Sequence, residues 1–164
     1  LIRFRPGEVT LWSGMNGHGK SLALGQAAAG FVCQREPVCI ASFEMRPVVT
    51  LARMARQTIG CRQPDRAAVL ALHEIWSSWL WLYDQQGQVH AEKILAVMRY
   101  ASQELGVKHF ILDSLMKCVR GEDDMARLAM SFNLVRSSGV QRLLYCLLIN
   151  QLRSTNITLF WRSI

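Results

Sequence analysis

No carboxylate follows Asp124, although the forty residues beyond it hold five arginines. At an ordinary acidic content of roughly one residue in eight, four or five would be expected. Two readings stay open for residues 125–164: a basic face that meets nucleic acid, or an atypical end altered by truncation or a change of frame. No C-x-x-C pair occurs among the five cysteines (33, 39, 61, 118, 146), and no histidine stands near them at zinc spacing. A zinc site or disulfide framework is thereby excluded, and buried thiols in a reducing, cytoplasmic setting are expected. No apolar run approaches the ~18 residues of a membrane helix. No basic stretch followed by an apolar run marks a secretion signal. Repeats, low-complexity tracts and linkers are missing too.

What is present is an ordinary globular balance over 164 residues, with 51% hydrophobic and 19% charged side chains. That excludes a disordered chain and suits one domain spanning 1–164. Leu1 stands where an initiator methionine would, so a piece of a longer product is expected. The net charge is +7, and fifteen of the nineteen basic residues are arginine. Arginine's planar fork donates two parallel hydrogen bonds to phosphate, which makes nucleic acid a candidate partner.

The periodicity predicts strands at 8–13, 37–42, 80–83, 107–113 and 143–149. It predicts helices at 21–34, from Pro47 to a stop at Gly60, at 64–77, at 89–105 and at 125–136. Along 89–105, Ile94, Leu95, Val97, Met98 and Ala101 mark the buried side. Strands alternating with helices of this length predict an α/β fold around a mostly parallel sheet.

The strongest chemical signal is Gly14-Met15-Asn16-Gly17-His18-Gly19-Lys20-Ser21. It satisfies G-x-x-x-x-G-K-S/T between a predicted strand and a predicted helix, the context such a phosphate loop requires. Glycines let the backbone bend round a phosphate chain with its N–H groups inward, and the helix start adds a positive dipole end. Lys20 is expected to reach the β and γ phosphates of ATP and Ser21 to ligate Mg2+. His18 is expected to point away.

A second magnesium-side acid is expected at Asp113, where the strand Phe110–Leu112 runs out, at the C-terminal sheet edge. A carboxylate capping the following turn is the plainer alternative. Glu44, just past the second strand, can accept a proton from an attacking water. On spacing alone it is equally a surface acid favourable to the next helix. Gln151, at the tip of the last strand, can touch a γ-phosphate or sit in an exposed loop.

Four phrases, SGMNGHGKS (13–21), ASFEMRP (41–47), HFILDSLMK (109–117) and LLINQLRS (147–154), agree in order and spacing with one family. They resemble the RecA-like P-loop ATPases, and among these the hexameric replicative DNA helicases of DnaB and phage primase-helicase type. The resemblance covers about residues 7–124. It implies Glu44 as catalytic base, Asp113 as magnesium-side acid and Gln151 as γ-phosphate sensor. It also implies ATP with Mg2+, single-stranded and duplex DNA as partners, and a ring of subunits, with no membrane association. The family's arginine finger and DNA-binding loops find no match, so the chain looks like the first two thirds of such a motor core. A nucleotide-binding remnant without helicase activity, and a recombination ATPase, are the alternatives. Trp76, Trp79 and Trp81 are expected in core or subunit packing rather than base stacking. Lys117 and Arg120 are expected in a loop that either meets DNA phosphates or is simply solvated.

Overall fold

Strand β2 (Val38–Ser42) is buried along its whole length and sends alternate side chains into two different cores. Cys39 and Ala41 face one, Val38 and Ile40 the other. That alternation is the period of two every strand imposes, and apolar residues on both sides require a cover on both faces. The computed structural model describes residues 4, 7, 9–13, 17–118 and 144–149. The predicted helix at 125–136 lies outside them.

Five parallel strands form one sheet in the order β1-β5-β4-β2-β3. The remaining strands are β1 (Val9–Ser13), β3 (Leu80–Tyr83), β4 (His109–Asp113) and β5 (Leu144–Ile149). Helices α1 (Lys20–Cys33), α2 (Pro47–Ile59) and α3 (Arg66–Trp76) supply the apolar side chains of one face, and α4 (Ala91–Gln103) those of the other. The α/β architecture and the parallel sheet are as the sequence predicts.

Each helix begins and ends for a local reason. Pro47 opens α2, where its missing N–H costs nothing, and Gly60 closes it at a φ of 72°. Asp65 caps α3 by accepting from the Ala68 N–H at 2.8 Å. That places Pro64 outside the helix expected to contain it. The expected start of α4 at Val89 is also displaced, because the Val89 N–H donates to the Lys117 carbonyl at 3.0 Å. Val107 likewise falls before β4, its N–H closing the end of α4 on the Ala101 carbonyl at 2.9 Å.

Ile94, Met98, Phe110 and Leu112 fill the α4 side, while Leu24, Ala28, Met54, Trp76 and Ile111 fill the other. Truncating a fully buried Met98 or Ile94 to alanine costs about 2–5 kcal/mol by transfer and cavity terms. Trp76 is buried, and Trp79 and Trp81 pack partly buried against the two cores, as expected for packing residues. The thiols depart from expectation: Cys39 and Cys118 are buried, but Cys33 and Cys61 are exposed. Cys33 ends α1 and Cys61 follows α2, positions where the chain leaves the core. Among the described residues no helix is long and apolar enough to cross a membrane.

Candidate functional site

Register decides what gathers at the C-terminal edge of the sheet. Ser42, the last residue of β2, pairs with Asp113, the last residue of β4. Ser13 ends β1 opposite Ile149 of β5. β5 therefore separates the strand before the phosphate loop from the strand that carries Asp113, and all four tips share one edge.

Gly14, Met15 and Asn16 lie outside the described residues. Gly17 and Gly19 take φ values of 83° and 78°, left-handed backbone that favours glycine. Gly19 caps α1, so Lys20 and Ser21 are the first two helical residues, both half-buried. Their backbone N–H groups belong to the set with no partner inside the helix, at the positive end of its dipole. His18 is exposed.

Asp113 is 4% exposed. Burial pushes its carboxyl above the ordinary 3.8, and the nearby Glu44 carboxylate pushes the same way. Hydrogen bonding from the Ser21 and Ser42 hydroxyls, with the Arg53 guanidinium, works against that rise. Even so, Oδ1 of Asp113 is buried without a hydrogen-bond partner. An orphaned carboxylate oxygen beside a serine hydroxyl is the donor set a hard divalent cation prefers, so the residues fit magnesium. Ser21, Ser42, Thr50 and Asp113 help line a cavity of about 20 Å³, room for a single water.

Glu44 lies in the turn between β2 and α2 and is exposed. The Ser114 hydroxyl donates to its Oε1 at 3.0 Å. The Asp113–Ser114 peptide is cis. The turn is tied to β4 by the Phe43 N–H, which donates to the Asp113 carbonyl at 2.7 Å. Lys117 falls in a short 3-10 turn (Leu115–Lys117) directly after Asp113. Gln151 and Arg120 lie outside the described residues.

Lys20, Ser21, Glu44 and Asp113 are thus brought to one edge, as their sequence positions predict. Ser42 and Ser114 join them, although no sequence signal singles them out. Ser42 stands inside the phrase ASFEMRP, yet nothing in the chain order announces that its hydroxyl meets a carboxylate seventy-one residues on. An open cleft of about 410 Å³ lies between α1 and α2, lined by Leu22, Arg53, Arg56, Gln57, Cys61 and Arg62 among others. Its lining holds three arginines and no carboxylate, a local field that concentrates anions.

This is the RecA-like α/β fold: a parallel sheet flanked by helices, with the glycine-bent loop and the acidic strand tip on one edge. Among solved structures the chain is similar to the ATPase domain of a DnaB-like helicase, with a TM-score of 0.73 at 14% sequence identity. The match covers 92% of this chain and 59% of that one, so the chain spans about three-fifths of that structure's length. No family model and no curated protein sequence matches it.

Proposed function

We propose that this chain is ATP-hydrolysing motor sequence of a replicative DNA helicase of phage type. The observation that carries the reading is the meeting of Ser21 and Asp113. A helix start that presents open backbone N–H groups, a hydroxyl and a lysine is set against a buried, half-unsatisfied carboxylate. Triphosphate with a divalent cation complements all of these groups at once.

In this reading residues 14–19 wrap the β and γ phosphates with backbone N–H groups, and Lys20 lays its ammonium against them. Ser21 and Asp113 hold magnesium, which when bound neutralises charge on the phosphate oxygens. Glu44 takes a proton from the water that attacks the γ-phosphorus, as the bond to the ADP oxygen breaks. Gln151, two residues beyond the end of β5, senses the γ-phosphate. DNA, single-stranded and duplex, and further copies of the chain in a ring are the partners. The arginine-rich charge of +7 supports an anionic polymer as one of them.

The test is nucleotide binding followed by turnover. The chain should bind Mg·ATP, and Lys20→Ala should abolish binding while leaving the fold intact by circular dichroism. Single-stranded DNA should raise the rate of phosphate release. Normal nucleotide affinity in Lys20→Ala would falsify the phosphate-loop assignment; turnover indifferent to DNA would remove the helicase reading and leave the ATPase.

A further inference from the structure

One short segment grips the turn that carries Glu44. The Gln86 side-chain amide donates through Nε2 to the Met45 carbonyl at 3.1 Å and to the Ser42 carbonyl at 3.4 Å. Its neighbour Gly87 donates its backbone N–H to the Phe43 carbonyl at 3.1 Å. Three of the four carbonyls of residues 42–45 are therefore held by two adjacent residues of the loop between β3 and α4. Gly87 sits at a φ of 80°, so this approach uses left-handed backbone. The same segment runs on to Val89, whose N–H holds the Lys117 carbonyl in the turn after Asp113.

The chemistry of the clamp is specific to an amide. A glutamine side chain offers two N–H donors on one nitrogen, and that nitrogen faces carbonyl oxygens only, those of Ser42, Met45 and its own neighbour Gln85. A carboxylate at position 86 would set oxygen against oxygen, and a methyl would leave the carbonyls to water. Glu44 itself is exposed, and the Ser114 hydroxyl meets its carboxylate from one side. The direction in which that carboxylate points thus depends on how firmly its backbone is fixed.

We propose that Gln86 is a positioning residue for Glu44: by bridging the carbonyls of Ser42 and Met45, it fixes the turn from which the carboxylate meets the attacking water. The proposal rests on the reading of Glu44 as the base. Gln86 touches neither nucleotide nor metal in this scheme and acts through the backbone of its neighbour.

The experiment compares Gln86→Ala and Gln86→Glu with the unsubstituted chain in two arms. In the first, kcat for ATP hydrolysis falls on the order of tenfold in both variants, since small misplacement of a reacting group is costly. KM for ATP and the binding of Mg·ATP stay within about twofold, the pattern of an interaction that acts at the chemical step. Combining Gln86→Ala with Glu44→Gln lowers turnover no further than Glu44→Gln alone, because the two residues act as one unit. In the second arm, backbone amide exchange over residues 43–46 of the nucleotide-free protein speeds up in Gln86→Ala, while β2 and β4 exchange as before. Additive losses in the double variant, or a raised KM with kcat unchanged, overturn the proposal. Unchanged exchange at 43–46 overturns it as well, whether or not the chain turns over ATP. Full turnover in Glu44→Gln sinks the base reading instead, and the exchange arm still reports on the clamp.

Discussion

The Ser21 hydroxyl, in the first turn of α1, hydrogen-bonds to the Asp113 carboxylate at the tip of β4, ninety-two residues away in sequence. The contact joins the helix that follows the phosphate loop to a strand two places across the sheet from β1. It also leaves Asp113 Oδ1 buried without a partner. A desolvated carboxylate with an empty lone pair lowers the stability of the metal-free fold and is relieved by a cation.

Asp113→Asn should therefore stabilise the nucleotide-free protein and weaken its response to magnesium. The folded carboxyl titrates above its ordinary 3.8, so between those two values the folded state holds the proton more firmly than the unfolded chain. Stability then falls as pH rises through that window, and at neutral pH the charged form carries the full cost. The substitution removes that cost. Thermal melts should show a higher Tm for Asp113→Asn without nucleotide, and a smaller rise than the parent's on adding Mg·ATP. A lower Tm without nucleotide would mean the serine hydroxyls compensate the carboxylate in full.

How much of this is legible in the chain depends on distance along it. The helix start at Lys20, the strand tip at Asp113 and the acid at Glu44 are readable because each follows a segment with a one-dimensional signature. The grip of Gln86 on Ser42 spans forty-four residues and lies in a loop with no motif. The Ser114–Glu44 hydrogen bond spans seventy. Neither leaves a period in the sequence. Periodicity sets the helix starts at 64 and 89 too early for a related reason. The apolar pattern continues through Val89, but its N–H is taken by Lys117, a partner that only the folded chain brings near.

Ser114→Ala should slow ATP turnover several-fold with nucleotide affinity little changed. The serine is fully buried and its hydroxyl donates to Glu44 Oε1 at 3.0 Å, so losing it lets the exposed Glu44 side chain sample more rotamers. A hydrogen bond to a charged group contributes about 1.5–3 kcal/mol when buried and less at an exposed carboxylate. Steady-state kinetics beside equilibrium nucleotide binding would separate the two effects. Turnover that rises in Ser114→Ala would show the hydroxyl restraining Glu44 rather than aiming it.

The cysteines should divide by reactivity. Burial pushes the Cys39 and Cys118 thiols up to about 12, so in mildly alkaline buffer almost none of either is thiolate, the form that reacts. Cys33 and Cys61 are exposed. Brief alkylation of the native protein followed by peptide mass spectrometry should find label on Cys33 and Cys61, and on Cys39 and Cys118 only after denaturation. Early label at Cys39 would mean that β2 opens far more readily than its burial implies.

Two glycines of α1 should respond in opposite directions to alanine. A Cβ at Gly30 meets nothing within 4 Å, so Gly30→Ala should add about 0.5–1 kcal/mol by removing backbone freedom from the unfolded chain. At Gly25 the same Cβ comes within 2.9 Å of Gln57 Oε1 and 3.4 Å of Met54 Cγ. Gln57 cannot swing aside without losing its 2.9 Å hydrogen bond to the Leu22 carbonyl, which ties α2 to α1. Gly25→Ala should lose about 1 kcal/mol or more from this overpacking. Urea melts of both variants measure the contrast, and equal stability would show that the α1–α2 seam relaxes freely.

His109 should make the fold acid-sensitive below neutrality. Its ring stacks on Phe31 with centroids 4.0 Å apart and planes 1° from parallel, and its Nδ1 is buried without a partner. Burial pulls its pKa below the ordinary 6.5; Glu36, whose Oε2 lies 3.9 Å from Nε2, pulls it back, and Lys108 adds to the depression. Glu36 is shared, since Lys108 Nζ sits only 2.9 Å from the same oxygen. With a lowered folded value, the unfolded chain binds the proton first as pH falls, so stability is full above 6.5 and declines toward the folded pKa. His109→Phe keeps the stacking and cannot take up a proton. The difference in Tm between His109→Phe and the parent should therefore widen in favour of the variant as pH falls below 6.5. A difference independent of pH across that range would mean the ring is neutral, or charged, alike in both states.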